Sequence, residues 1–394
     1  MDDRAWSAST LSVRETLRAS LDGGDAAVAT VSGVEGSAYR RPGAKRVLAG
    51  ADAEDGVGAI TAGCLDEPVA DLAAAALSSG PLRETFDLTG EDGAWGFGLG
   101  CNGVVDVLVE PVDASVRPAL DRLAAGERAA LLTVVGGVRA DDSGTAHPEA
   151  TVGARALVDE SGDATATDPR PPIPDAVLDA VRETAAAFAE TGRSDTLAVG
   201  TERGTVEVFV DGLEPVPELL IFGHSPDVRP VARLARDAGF RVTVAAARGA
   251  RADAEQFPDA HEVVATRPSE VAEVVSRPAD TYAVVMSHNF VDDRLALDAL
   301  LDTAVPYVGL MGPRKRFEQM RDALADEGSR LSAADRDRIA TPVGLDLGGG
   351  EPTQVALSIV SEVLAASNGR DGGRLSRGEG PIHPRESSER DNSS

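Results

Sequence analysis

Lysine is nearly missing from this chain: only Lys45 and Lys315 occur, so 36 of its 38 basic residues are arginines. Positive charge is scarce altogether, since 65 acidic residues give a formal net charge of −27 over 394 residues. A field of that sign repels phosphate backbones and anionic headgroups, which excludes non-specific binding to nucleic acid or to a membrane surface. The same acid-rich, lysine-poor balance reads as halophilic. Two cysteines, Cys64 and Cys101, are too few for a disulfide framework or a four-cysteine zinc site, which leaves buried packing or thiol chemistry. No apolar run approaches the ~18–20 residues that span a bilayer, and the opening Met1-Asp2-Asp3 lacks a basic, then greasy, secretory segment. A cytoplasmic protein is expected. Serine-triad, Walker and zinc-protease spacings are also absent.

What is there is enough for two or three domains, with 42% hydrophobic residues to fill their cores. Residues 7–21 have the apolar spacing of a short helix, and strands follow at 26–31, 46–49 and 57–61. Gly63-Cys64-Leu65-Asp66-Glu67 opens an alanine-rich helix over 68–79, with Asp66 as its expected N-cap. Strand 104–109 and helix 114–125 come next. They are followed by strands near 129–135 and 153–158, a Pro/Asp-rich loop at 161–174, a helix over 175–191, and strands at 196–200 and 205–210. No composition break interrupts 1–213, which we read as one mixed α/β domain, and no repeat of fixed period is visible. After the proline-bounded Glu214-Pro215-Val216-Pro217, strands at 219–222, 241–244, 262–265, 282–286 and 307–310 alternate with helices over 226–238, 268–275, 292–302, 314–326 and 352–366. The first strand is continuously apolar, as a parallel strand buried on both faces should be. The alternation predicts a doubly wound parallel sheet over 214–366. Residues 367–394 form a polar tail, expected to be disordered.

Several segments carry candidate chemistry. Arg40, Arg41, Lys45 and Arg46 fall close together, and Arg314, Lys315 and Arg316 are consecutive, so both lysines sit in local basic islands that could hold a small anion. Gly309-Leu310-Met311-Gly312-Pro313-Arg314-Lys315 ends a strand and starts a helix, where free N–H groups and adjacent cations would suit an oxyanion. His288 lies just past the end of a buried strand, the edge at which open α/β sheets bind ligands. Cys64 precedes a helix, where the dipole favours thiolate and Lys45 or Arg41 could reinforce it. Cys101 sits in a glycine-rich turn with Gly100. The turn Gly223-His224-Ser225-Pro226-Asp227 keeps only the first glycine of a dinucleotide fingerprint, and the second strand ends Ala245-Ala246-Ala247-Arg248 with no ribose-binding carboxylate, which argues against NAD(P).

Taken in order, these segments resemble the XdhC/CoxI family, the xanthine dehydrogenase accessory factors. The resemblance rests on Gly36-Ser37-Ala38-Tyr39-Arg40-Arg41-Pro42-Gly43-Ala44-Lys45, Gly63-Cys64-Leu65-Asp66 and Gly98-Leu99-Gly100-Cys101-Asn102-Gly103. It continues through Val285-Met286-Ser287-His288, Tyr307 to Arg316, Thr341 to Gly348 and Glu351 to Ile359. The departures are Gly223-His224-Ser225-Pro226 in place of the family's G-A-G-H, Ala246-Ala247 in place of its acidic pair, Ala62 before Gly63 and Asn102 after Cys101. The resemblance implies a CoxI-like N-terminal region and a Rossmann-like C-terminal domain. It implies an accessory protein that binds molybdenum cofactor, guards it during sulfuration and delivers it to a molybdenum hydroxylase apoenzyme of xanthine or carbon monoxide dehydrogenase type. A cysteine desulfurase is an expected second partner, and a homodimer an expected assembly. On this reading Arg40, Arg41, Lys45, Arg314 and Lys315 bind the anionic end, and Cys64 and Cys101 take the metal or sulfur end. Gly43, Gly63, Gly100, Gly223, His288, Gly309 and Gly312 line the cofactor. Two other readings remain at this point: an NAD(P)-dependent oxidoreductase with His288 as acid/base, and a docking adaptor without cofactor.

Overall fold

A computed structural model describes residues 3–23, 25–49, 56–89, 102–136, 149–326 and 330–377. The chain packs as two units, Met1–Val216 and Pro217–Ser394. The first opens with helices α1 (Asp3–Trp6) and α2 (Thr10–Gly23), strands β1 (Ala26–Ser37) and β2 (Lys45–Ala49), helix α3 (Asp66–Ser79), and strands β3 (Leu82–Asp87) and β4 (Asn102–Pro111). It continues with α4 (Arg117–Ala124), β5 (Ala129–Gly136), β6 (Arg155–Asp159), β7 (Ala164–Ala166), α5 (Asp175–Thr191), β8 (Ser194–Thr201) and β9 (Gly204–Leu213). Two antiparallel sheets result, ordered β2-β1-β4-β3 and β7-β6-β5-β9-β8.

β1 explains the layering. Its Ala27, Ala29 and Val31 face Leu65, Val69, Ala73 and Ala76 of the α3 segment. The alternate Val28 packs with Leu131 and Leu157 of the other sheet. The strand is therefore buried on both faces, which its nearly unbroken apolar sequence requires. On the far side, Val177, Val181, Ala185 and Phe188 of α5 cover Leu132, Val134, Val208 and Val210. The expected third strand at 57–61 does not form among the described residues; a single bridge, Val47 to Val57, is all that pairs there.

The two sheets are also copies of one plan, although the sequence shows no period. Strand order β2-β1-β4-β3 recurs as β6-β5-β9-β8, with α3 and α5 in the same place in the chain. A register shift between Val31 and Gly33 recurs between Val134 and Gly136, and these glycines face Asp106 and Glu207. Val31 exchanges backbone hydrogen bonds with Gly43 and Ala44 as Val134 does with Gly153 and Ala154. Lys45 and Arg155 hold matching positions, and each reaches the acid at the matching position of the opposite sheet. Lys45 Nζ lies 2.6 Å from Asp211 and Arg155 Nη2 2.5 Å from Glu110. No period is visible because the loops differ. Val31 matches Val134, 103 residues on; Lys45 matches Arg155, 110 on; Glu110 matches Asp211, 101 on.

The second unit is β10 (Glu218–Phe222), α6 (Val228–Asp237), β11 (Arg241–Ala246), β12 (Glu262–Ala265), β13 (Thr281–Val285), α7 (Phe290–Leu301), β14 (Tyr307–Leu310), α8 (Arg314–Asp326), α9 (Ala333–Asp337), β15 (Ile339–Ala340) and α10 (Pro352–Ser367). All pairings are parallel and the order is β12-β11-β10-β13-β14-β15. In sequence terms this is 3-2-1-4-5-6, the Rossmann order. α6 and α10 cover Leu219, Ile221, Val242 and Val244. α7 and α8 cover the alternate set, Leu220, Phe222, Ala283, Val285 and Val308. The stretch expected as a helix at 268–275 is a 3-10 run, Pro268–Val274. No helix among the described residues is long and apolar enough to cross a membrane.

Candidate functional site

Strand order reverses between β10 and β13, so the chain leaves their carboxyl ends toward opposite faces of the sheet and a crevice opens there. The two exit loops are 223–227 and 286–289. They are close: a Cβ on Gly223 would stand 2.8 Å from the Met286 carbonyl oxygen, so only glycine fits. His288 Nε2 and Asp227 Oδ2 lie 2.7 Å apart and tie the loops together across the crevice. His288 adopts φ 63°, the only non-glycine positive φ among the described residues. Asn289 then caps α7, its side chain accepting from the N–H groups of Val291 and Asp292.

His224 completes the cluster. Burial, then Arg251 and Arg248, hold its imidazole below the ordinary value, so it is neutral at neutral pH. His224 Nδ1 and Asp227 Oδ1 are buried without a hydrogen-bond partner among the described residues. The crevice thus keeps unused polar capacity on two side chains that the sequence alone does not assign. The signal is present, since both stand in the turn after the first parallel strand. Asp227 reads from sequence only as a charge unfavourable to phosphate.

The pyrophosphate features of a dinucleotide site are missing. Pro226 removes a donor just before α6, Asp227 stands at its N-cap, and Arg248 follows β11 where a ribose-binding carboxylate would be. One strand over, Met311 N–H bonds to the Val285 carbonyl, which aligns the end of β14 with that of β13. Gly312 turns the chain at φ 123° into α8, whose first turn exposes Arg314 and Lys315. Neither cation has an ion-pair partner among the described residues. Gly309, expected to line the cofactor, lies inside β14, where a Cβ would overlap Val343 at 2.5 Å. Its glycine serves packing. Among the described residues no group of three His, Cys, Asp or Glu side chains could hold a metal ion.

In the first unit, the loop between β1 and β2 exposes Arg40 and Arg41, while Gly43, at φ 93°, is packed against Ser194. Lys45 points inward instead, donating to Asp211 at 2.6 Å and to the Gly43 carbonyl at 3.0 Å. Lys45 therefore reinforces neither an anion site nor Cys64. Gly63, at φ 103°, is exposed with open space beside it. Cys64 is half-buried against the α3 core and forms no disulfide. Thr61 Oγ1 fixes the turn by accepting from the Gly63 and Leu65 N–H groups. Leu65, not Asp66, is the N-cap residue; the helical backbone already includes Asp66, whose first-turn carboxylate pairs with the buried Arg46 at 2.5 Å. Gly100 and Cys101 lie outside the described residues.

Residues 20–87 match the XdhC and CoxI family, and residues 219–363 match the XdhC Rossmann domain. The chain is 28% identical over 349 residues to a probable xanthine dehydrogenase subunit of Bacillus subtilis strain 168, across 86% of this chain and 92% of that protein. It is 26% identical over 194 residues to the uncharacterised protein YqeB of Escherichia coli K12, across 49% of this chain and 35% of that one. The crystal structure of a xanthine dehydrogenase from Bacillus halodurans superposes with a TM-score of 0.68 at 26% identity, covering 92% of this chain and 96% of that one.

Proposed function

We propose, from the premise that the chain belongs to the XdhC and CoxI family, that it is an accessory factor in the maturation of a xanthine dehydrogenase-type molybdoenzyme. It binds molybdenum cofactor as cargo, shields it during sulfuration and hands it to the apoenzyme, with a cysteine desulfurase as sulfur donor. One observation carries the reading. At the switch point of the parallel sheet, His224 and Asp227 keep polar atoms with no hydrogen-bond partner beside the His288–Asp227 pair, and the neighbouring strand end presents two exposed cations without acidic partners among the described residues.

The cargo is an anion with a phosphate at one end and a dithiolene-bound metal at the other. Arg314 and Lys315 suit the phosphate through their side chains, at the start of α8, where the Arg316 N–H is already given to the Pro313 carbonyl. Neutral His224 and the His288 pair offer hydrogen bonds to a heterocycle. The first unit, taken by itself, carries its own candidates: Arg40 and Arg41 as cations for an anion, and Cys64 and Cys101 as soft ligands for a metal or its sulfur. Lys45 acts in the fold alone.

The test uses purified chain in high salt, mixed with cofactor released from a donor molybdoenzyme and passed over a sizing column. Charge reversal at Arg314 and Lys315 is expected to lower co-eluting pterin at least tenfold. Joint Cys64→Ser and Cys101→Ser substitution is expected to lower retained molybdenum more than retained pterin. Wild-type retention by both variants would defeat these assignments.

A further inference from the structure

Asp293, in the first turn of α7, is the most deeply buried charged side chain among the described residues, at 1% exposure. Its Oδ1 accepts from the Ser287 N–H at 3.0 Å and the Ser287 hydroxyl at 2.5 Å. Its Oδ2 accepts from Arg316 Nη2 at 2.6 Å. Ser287 immediately precedes His288, and its hydroxyl also accepts from the Asn289 N–H at 3.2 Å. Arg316 immediately follows Lys315, and its guanidinium lies 5.9 Å from the centroid of the Phe290 ring. One carboxylate thus joins the turn that carries His288 to the turn that carries Arg314 and Lys315.

Burying a charge so completely is costly, and a buried ion pair stabilises a fold less well than apolar side chains of the same volume. Its better-attested use is to fix one arrangement among several. Here the arrangement is a strained one, since a histidine at positive φ persists only where its neighbours hold it from both sides. Asp293 holds the residue before it and Asn289 the helix after it.

We propose that Asp293 is a positioning residue, which sets His288 and the Arg314-Lys315 turn at the spacing that one anionic cargo requires. The proposal rests on the functional reading above. The test compares Asp293→Asn, Arg316→Met and the double variant in the full-length chain with 15N-labelled histidine. Without ligand, Asp293→Asn should displace the His288 imidazole signal, assigned with His288→Gln. With cofactor released from a donor molybdoenzyme, each single variant should weaken binding about tenfold, and the double variant no more than the weaker single, because both cut one link. An unmoved His288 signal, or a double variant weakened about a hundredfold, would overturn the proposal. If the wild-type chain retains no cofactor, the functional reading fails and the His288 signal alone decides the positioning role. Should Asp293→Asn not fold, Ser287→Ala and Arg316→Met cut the same link from its two ends.

Discussion

His288 holds a left-handed backbone conformation, φ 63°, that a side chain adopts only at a cost. A non-glycine side chain in the left-handed region costs about 1–2 kcal/mol, which glycine avoids. Every truncation of His288 also loses the bond to Asp227, so the strain is read from a pair: His288→Gly should be more stable than His288→Ala by about 1 kcal/mol, with cofactor retention weakened in both. Urea titration paired with the retention assay reads both, and a glycine variant no more stable than the alanine one would contradict the strain argument. His261 is a different case. It bridges β11 and β12, its N–H donating to the Val242 carbonyl and its Nδ1 accepting from the Val242 N–H at 2.9 Å. Burial first, then Arg236 and Arg241, lower its pKa to about 4. The unfolded chain takes up this proton nearer pH 6.5, so the contribution is complete above that value and is lost as pH falls toward 4. After discounting for partial exposure, the loss is on the order of 1 kcal/mol. His261→Asn, which keeps an acceptor without titrating, should show a flatter fall in urea midpoint between pH 7 and 4.5. Parallel falls would remove His261 from the account.

Among the elements, the paired ion bridges of the duplicated sheets make a test of what holds the first unit together. Arg155 and Glu110 are nearly fully buried, so Arg155→Met, which strands Glu110, should cost about 3–5 kcal/mol. Adding Glu110→Leu should restore at least half of that, because the unpaired charge is gone. Lys45→Met should cost less, since Lys45 is 20% exposed, and should leave cofactor retention unchanged. The sequence makes some elements plain and hides others for physical reasons. Strands 262–265 and 307–310 and helices 175–191 and 314–326 match to the residue, because apolar runs and helical spacing announce them. β3 is hidden because Leu82–Asp87 is an edge strand with one buried side chain, Phe86, among polar neighbours. β15, two residues long, has no period to read. The duplication is invisible in the sequence because it resides in register and hydrogen bonding rather than in residue identity. His288 is legible at a strand end, but its partner Asp227 is not. Their meeting depends on β10 lying beside β13, a fact of sheet order that no local pattern carries.

At the scale of the whole molecule, the net charge of −27 sets the working conditions. Self-repulsion of that size should be screened by salt, so the thermal midpoint is expected to rise by several degrees between about 0.1 and 2 M KCl, with most of the gain early, as the Debye length falls from ~10 Å to ~3 Å or below. A midpoint indifferent to salt would count against the halophilic reading. The same charge bears on the proposed function, in which exposed Arg314 and Lys315 supply the positive charge that an anionic cargo needs in so anionic a protein. The most direct test of that claim is the stoichiometry of molybdenum and pterin co-eluting with the wild-type chain after incubation, in high salt, with cofactor released from a donor molybdoenzyme. The account predicts close to one cofactor per chain, falling at least tenfold on charge reversal at Arg314 and Lys315. No retention by the wild-type chain, with the donor cofactor shown to be intact, would contradict it.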